Sequence, residues 1–152
     1  NFAVQQNLRF NAKIKRVILD GSIGARYWHA TSERKNFQTI NSFDVTYGLN
    51  AQISLPAGFA FNTDCKLYQR EGYSDASMND LRFVANARLE KTFLRGRLGV
   101  ALDGYDIFGG LSNVTKVINA QGIIETWYNS LPSYAMLQIS YKLSKPPKKK
   151  NQ

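Results

Sequence analysis

The sequence predicts an all-β chain: an antiparallel up-and-down meander of about seven to eight long strands, forming part or all of a transmembrane β-barrel. Three observations predict it. Apolar and polar residues alternate with a period of two, as in Phe59 to Leu67, where Phe59, Phe61, Thr63, Cys65 and Leu67 oppose Ala60, Asn62, Asp64 and Lys66. That period sends successive side chains to opposite faces of a strand. The beat recurs in segments long enough to cross a bilayer as tilted strands, and short and long connections alternate between them.

The first strand runs from Val4 to Ile14, with Leu8, Phe10, Ala12 and Ile14 opposing Arg9, Asn11 and Lys13. A reversal at Lys15-Arg16 leads to Val17–Trp28, and the polar stretch from His29 to Gln38 reads as a loop. The third strand, Ile40 to Leu55, sets Phe43, Val45, Tyr47, Leu49, Ala51 and Ile53 against Ser42, Asp44, Thr46, Asn50 and Gln52. Pro56-Ala57-Gly58 makes a tight turn, because proline presets its own backbone angle and glycine accepts a positive one. The fourth strand continues to Arg70, and Glu71 to Asn79 reads as a second polar loop.

Asp80 to Phe93 alternates Leu81, Phe83, Ala85, Ala87 and Leu89 with Arg82, Asn86, Arg88 and Glu90, and turns at Leu94-Arg95-Gly96. The sixth strand starts at Arg97, and its rhythm blurs through Ile107 to Asn113 before a hairpin, Thr115 to Trp127, folded at Ala120-Gln121-Gly122. Ser133 to Leu143 closes the meander. The barrel domain thus covers 1–144, and the basic Pro/Lys tail 145–152 is expected to be disordered.

The chain has 152 residues, 43% hydrophobic and 20% charged, which suits one folded domain and excludes a disordered one. No run approaches the roughly 18 apolar residues of a membrane-spanning helix, so a membrane reading requires a barrel. The start lacks a basic segment followed by an apolar one, so any secretory signal has been removed or lies upstream. The single cysteine, Cys65, excludes an internal disulfide. Net charge is +9. Its cations are spread along the chain and no RNA-binding sheet signature appears, so nucleic acid is not an expected partner.

The apolar face is almost free of charge, whereas the other is rich in Asn, Gln, Ser, Asp and Arg. That contrast suits lipid outside and a hydrated bore inside, although a lipocalin-like soluble barrel shares the beat with its apolar face turned inward. Tyr27, Trp28, Phe93, Tyr105, Trp127, Tyr128, Tyr134 and Tyr141 lie near strand ends, as interfacial girdles do. With short turns in the periplasm, seven strands make the first and last both enter from outside. This odd count predicts the C-terminal part of a larger barrel; one misjudged hairpin would instead restore a closed eight-stranded barrel.

The stretch Asn86 to Gly110 (NARLEKTFLRGRLGVALDGYDIFGG) and the ending Trp127 to Ser144 (WYNSLPSYAMLQISYKLS) resemble the C-terminal barrel of TonB-dependent outer-membrane receptors. The nearest likeness is to the Bacteroides-type outer membrane protein β-barrel family. Its strand-ending motif matches Asp106-Ile107-Phe108, and its closing strand matches Tyr134, Met136, Leu137 and Tyr141. Leu55 to Phe59 and Arg70 to Tyr73 fit its turn and strand-end patterns. The lysine-rich end departs from the aromatic terminus usual there. The resemblance implies energised uptake of a bulky nutrient (siderophore, vitamin, glycan or peptide) at the bacterial outer membrane. It also implies outer-membrane lipid around the strands, N-terminal strands and a plug domain outside this sequence, contact with the TonB complex only through that plug, and a surface lipoprotein as a partner.

Catalysis is not expected. One histidine, His29, cannot build a triad or a multi-histidine metal site. Asp64 and Glu90, near Lys66, Arg82 and Arg88, read as cross-strand ion pairs rather than a glycosidase pair, and Gly109-Gly110 lacks the context of a phosphate loop. No cofactor is expected. The candidate ligand contacts, in outer loops and lumen, are Trp28, Arg82, Arg88, Trp127 and Tyr128, whose aromatic faces stack on sugars and whose guanidinium groups pair with anions.

Overall fold

A computed structural model describes residues 1–31, 39–119, 122–129, 131 and 133–143. The strands are β1 (Phe2–Ile14), β2 (Val17–Ala30), β3 (Ile40–Ser54), β4 (Phe59–Glu71), β5 (Asp80–Phe93), β6 (Leu98–Tyr105), β7 (Val114–Asn119), β8 (Gly122–Trp127) and β9 (Tyr134–Tyr141). Seven form one antiparallel sheet in the order β1-β2-β3-β4-β5-β6-β9, and β7 pairs only with β8. The fold is the expected meander, and β7–β8 is the expected hairpin within the longest connection. The tip of that hairpin (120–121), most of the first loop (32–38) and the basic tail with its expected disorder (145–152) lie outside the described residues.

Register keeps like with like. Leu49 faces Cys65, Cys65 faces Ala85, and Leu89 faces Leu102, which in turn faces Leu137. A slip of one residue would send every apolar side chain to the other face. Three tight turns lie at one end of the sheet and reverse through left-handed backbone at Lys15, Ala57, Gly58, Leu94, Arg95 and Gly96. The long connections lie at the other end. With 13 to 15 residues, β1 to β5 exceed the 9–11 or so needed to cross hydrocarbon. Their surplus projects beyond a membrane.

Among the described residues no second layer covers the apolar face. Phe83, Leu102 and Leu137 are 42%, 53% and 64% exposed, whereas Asp103 on the polar face is 4% exposed. A soluble barrel would show the reverse. The lipocalin-like reading therefore fails on the direction in which the apolar side chains point.

Several sequence expectations need correction. His29 is the penultimate residue of β2 rather than a loop residue; its Nδ1 lies 2.6 Å from Oδ1 of Asn41 on β3. The segment 71–79 is not a solvated loop: Tyr73 and Met78 are buried in it, as are Ala30, Ile40 and Ser42 at the same end of the sheet. Of the expected girdle, Tyr27, Phe93 and Tyr141 follow the apolar face. Trp28, Tyr105 and Tyr134 have the other parity: Trp28 stands two residues from Arg26, whose guanidinium is 5.9 Å from its ring, and Tyr105 stacks on Tyr134 at 4.7 Å.

The sheet has two unpaired edges among the described residues, β1 and β9. Both strands run from the long-loop end towards the short-turn end, as the odd strand count anticipated. Strands running the same way cannot pair antiparallel with one another.

Candidate functional site on the polar face

In-register strands place same-face residues side by side about 4.8 Å apart, so the polar face is organised in rows. The mid-height row reads Asn11, Asp20, Asn50, Asp64, Asn86 across β1 to β5, with amide and carboxylate alternating. Asn11 donates to Asp20, and Nδ2 of Asn86 donates to Oδ2 of Asp64 at 2.9 Å. The next row towards the short turns holds Gln52, Asn62, Arg88 and Asp103. Nη1 of Arg88 donates to both Asp103 oxygens at 3.1 and 3.2 Å and to Gln138 at 3.0 Å, while Nη2 reaches Glu90 at 3.4 Å. Burying a carboxylate as deeply as Asp103 is costly without such a hydrogen-bonded cation beside it. These two rows line a cavity of about 500 Å³.

Nearer the long loops a third row reads Gln5, Arg26, Asp44, Arg70, Asp80, with charges alternating in sign from β2 to β5. Arg70 Nε lies 3.3 Å from Asp44. The Tyr73 hydroxyl folds back from the following loop onto the same carboxylate, and the Arg70 guanidinium sits 4.6 Å from the Tyr73 ring. Arg70 also donates to the Lys116 carbonyl at 3.3 Å, and Lys116 Nζ reaches Ser77 at 2.9 Å and Glu125 at 2.8 Å. The separate β7–β8 hairpin is thereby moored to the 71–79 loop. Asp75 caps that loop's turn, Ala76–Met78, by accepting from the hydroxyl and amide of Ser77 at 2.7 and 2.8 Å. Those bonds, the hydroxyl's first, hold its carboxyl below the usual carboxylate range.

Asp106 ends β6. It is 3% exposed with φ 46°, donates its amide to Oδ1 of Asn86 at 2.8 Å, and accepts at its carboxylate from the amides of Gly110 and Leu111 at 2.7 and 3.0 Å. Ile107 then donates to the Ala85 carbonyl at 2.9 Å, so the segment after β6 covers the outer half of β5. Gly110 passes so close that a Cβ there would lie 1.8 Å from the Phe83 carbonyl oxygen. The blurred rhythm after Asp106 is this corner.

The five candidate ligand contacts do not converge. Arg88 occupies the middle of the polar face, Arg82 pairs with Asp80 at the outer end of β5, and Trp28 stands on β2. Trp127 and Tyr128, at the end of β8, are 74% and 55% exposed. Among the described residues neither Asp64 nor Glu90 makes the expected cross-strand ion pair: Glu90 pairs with Arg88 two residues before it on the same strand, and Asp64 is satisfied by the Asn86 amide. Sequence reasoning missed Asp44, Arg70, Tyr73 and Lys116. The alternation Arg26-Asp44-Arg70-Asp80 could have flagged the first two, but only once register was known. Among the described residues no three of His, Cys, Asp or Glu gather as a metal site.

No curated protein and no solved structure matches the chain. The sequence model described as the outer membrane protein beta-barrel family matches residues 1–141. The apolar outer face, the polar inner rows, and the segregation of short turns from long loops are what such a barrel requires of its wall, and its place is the bacterial outer membrane. The chain belongs to the outer membrane protein beta-barrel family.

Proposed function

We propose that this chain is the C-terminal barrel portion of a TonB-dependent receptor-transporter that takes up a bulky nutrient such as a siderophore, vitamin, glycan or peptide. The observation that carries the reading is the shared direction of β1 and β9. An antiparallel barrel closes over this sheet only with an odd number of further strands. A second copy in the same membrane orientation cannot supply the closure, because its edges run the same way as these. In this reading the wall belongs to a wider bore, completed by strands and a plug outside this sequence, and contact with the TonB complex passes through that plug. The long-loop end, with its moored hairpin carrying Trp127 and Tyr128, offers capture surfaces and a seat for a surface lipoprotein. Arg82, Arg88 and Trp28 lie along the wall a solute would pass. In this reading the chain has no catalytic role, takes no cofactor and does not bind nucleic acid.

The test is uptake in cells lacking the complete gene. Loss of growth on one limiting nutrient, restored by the gene and abolished by a protonophore, supports energised transport. Normal growth on every nutrient class, or passage indifferent to the protonophore, would sink it in favour of a small stand-alone barrel with a structural or adhesive role.

A further inference from the structure

The two ends of the sheet differ in how their charges are partnered. At the long-loop end, Arg70, Arg82 and Lys116 are each paired with a carboxylate, and Arg26 alone of that end's row lacks one among the described residues. At the short-turn end, Lys13, Lys15, Arg16, Arg95, Arg97 and Lys142 are all exposed. Among the described residues none of these six has a carboxylate within ion-pair distance. The turns themselves, 15–16, 56–58 and 94–96, contain no acidic residue. Unpaired cations crowded on one rim repel one another, which costs stability unless an anion sits among them.

A second observation places this rim at a membrane surface. Lys91 belongs to the apolar face of β5, yet its ammonium bends to the turn, donating to the Ala57 carbonyl and lying 4.0 Å from the Phe59 ring and 5.5 Å from the Phe93 ring. Leu55 and Leu94 are exposed beside it, 41% and 61%. A cation drawn to the strand end between two aromatic rings, on a face otherwise apolar, marks the level where hydrocarbon gives way to headgroups.

We propose that the short-turn rim is an electrostatic seat for anionic phospholipid headgroups. Arg16, Arg95 and Arg97 would receive phosphate oxygens and Lys15 would add charge, while Leu55, Phe59, Phe93 and Leu94 rest in the acyl boundary. Guanidinium forks suit phosphate geometry, and each cation near an anionic surface strengthens binding roughly fivefold. The seat does not depend on what the barrel transports.

The test uses the complete protein in mixed micelles holding equal phosphatidylglycerol and phosphatidylcholine, with retained lipid counted by native mass spectrometry. The expected result is about threefold or greater enrichment of phosphatidylglycerol, in keeping with a few engaged cations. It should vanish in Lys15→Gln/Arg16→Gln/Arg95→Gln/Arg97→Gln and persist in Arg9→Gln/Arg26→Gln on the polar face. Sodium chloride at about 0.5 M, where screening acts within about 4 Å, should also erase it; this arm uses the native protein and needs no variant to fold. No enrichment, enrichment unmoved by salt, or enrichment lost equally in both variants would overturn the proposal. So would a preference for lipopolysaccharide or an acidic peptide over phosphatidylglycerol in competition.

Discussion

The Tyr73 hydroxyl donates to the Asp44 carboxylate, 2.9 and 3.0 Å from its two oxygens, and so ties the loop after β4 to the strand before it. Removing only that hydroxyl should loosen the tie and leave the ring under Arg70. Tyr73→Phe is expected to lower stability by about 1 kcal/mol, the usual value of one such bond at a part-buried site. It should also speed proteolysis within 71–79 while leaving β1 and β2 protected. Limited proteolysis of the complete protein in micelles checks both.

The direction of the apolar face is open to a single substitution. Leu102 is 53% exposed in mid-β6, between Leu89 and Leu137. Leu102→Arg should cost about 2–4 kcal/mol in a bilayer, as arginine on a lipid face does. On a water-facing surface the same change is nearly neutral. Urea unfolding from vesicles measures the difference.

Breaking the Arg88 network should be costly as well. Arg88→Ala leaves Asp103 buried without its cation and Gln138 without its donor. A loss of about 2 kcal/mol is expected, reduced from the value for a fully buried pair because Arg88 is itself part-exposed. Arg88→Lys should recover only part of it, since an ammonium cannot reach three partners as a guanidinium does.

The Asp106 corner allows no extra atoms. Gly110→Ala would drive a methyl group into the Phe83 carbonyl, so the strand or the corner must shift, at about 2 kcal/mol. Asp106→Ala leaves the Gly110 and Leu111 amides without their acceptor. Hydrogen exchange should show both amides, and that of Ile107, losing protection in either variant.

Acid should release the turn at 76–78. The Asp75 carboxyl is held below its ordinary range by Ser77, so the folded loop favours the ionised form. Its contribution is therefore present above the ordinary carboxylate range and is lost as pH falls through the depressed folded value. The exchange rate of the Ser77 amide should rise across that acid window in the native chain. In Asp75→Asn, which keeps the acceptor oxygen but not the charge, this step should be absent.

What the residues alone determined was the pattern that repeats. Period two needs no tertiary knowledge, so the strands, the tight turns at Lys15, Pro56 and Leu94, the hairpin near 120, and the face carrying Phe83 and Leu102 were all legible. So was the odd strand count. Register decided the rest. Asn11, Asp20, Asn50, Asp64 and Asn86 become one row only when five strands are aligned, and Asp44 meets Arg70 and Tyr73 only because β3 and β4 lie side by side while the chain after Glu71 folds back. The same holds for Asp106, whose role rests on amides that follow it and on Asn86 from a neighbouring strand. Alternation assigns a side chain to a face; which residues meet on that face is set by pairings distant in sequence, and those are fixed by the whole sheet.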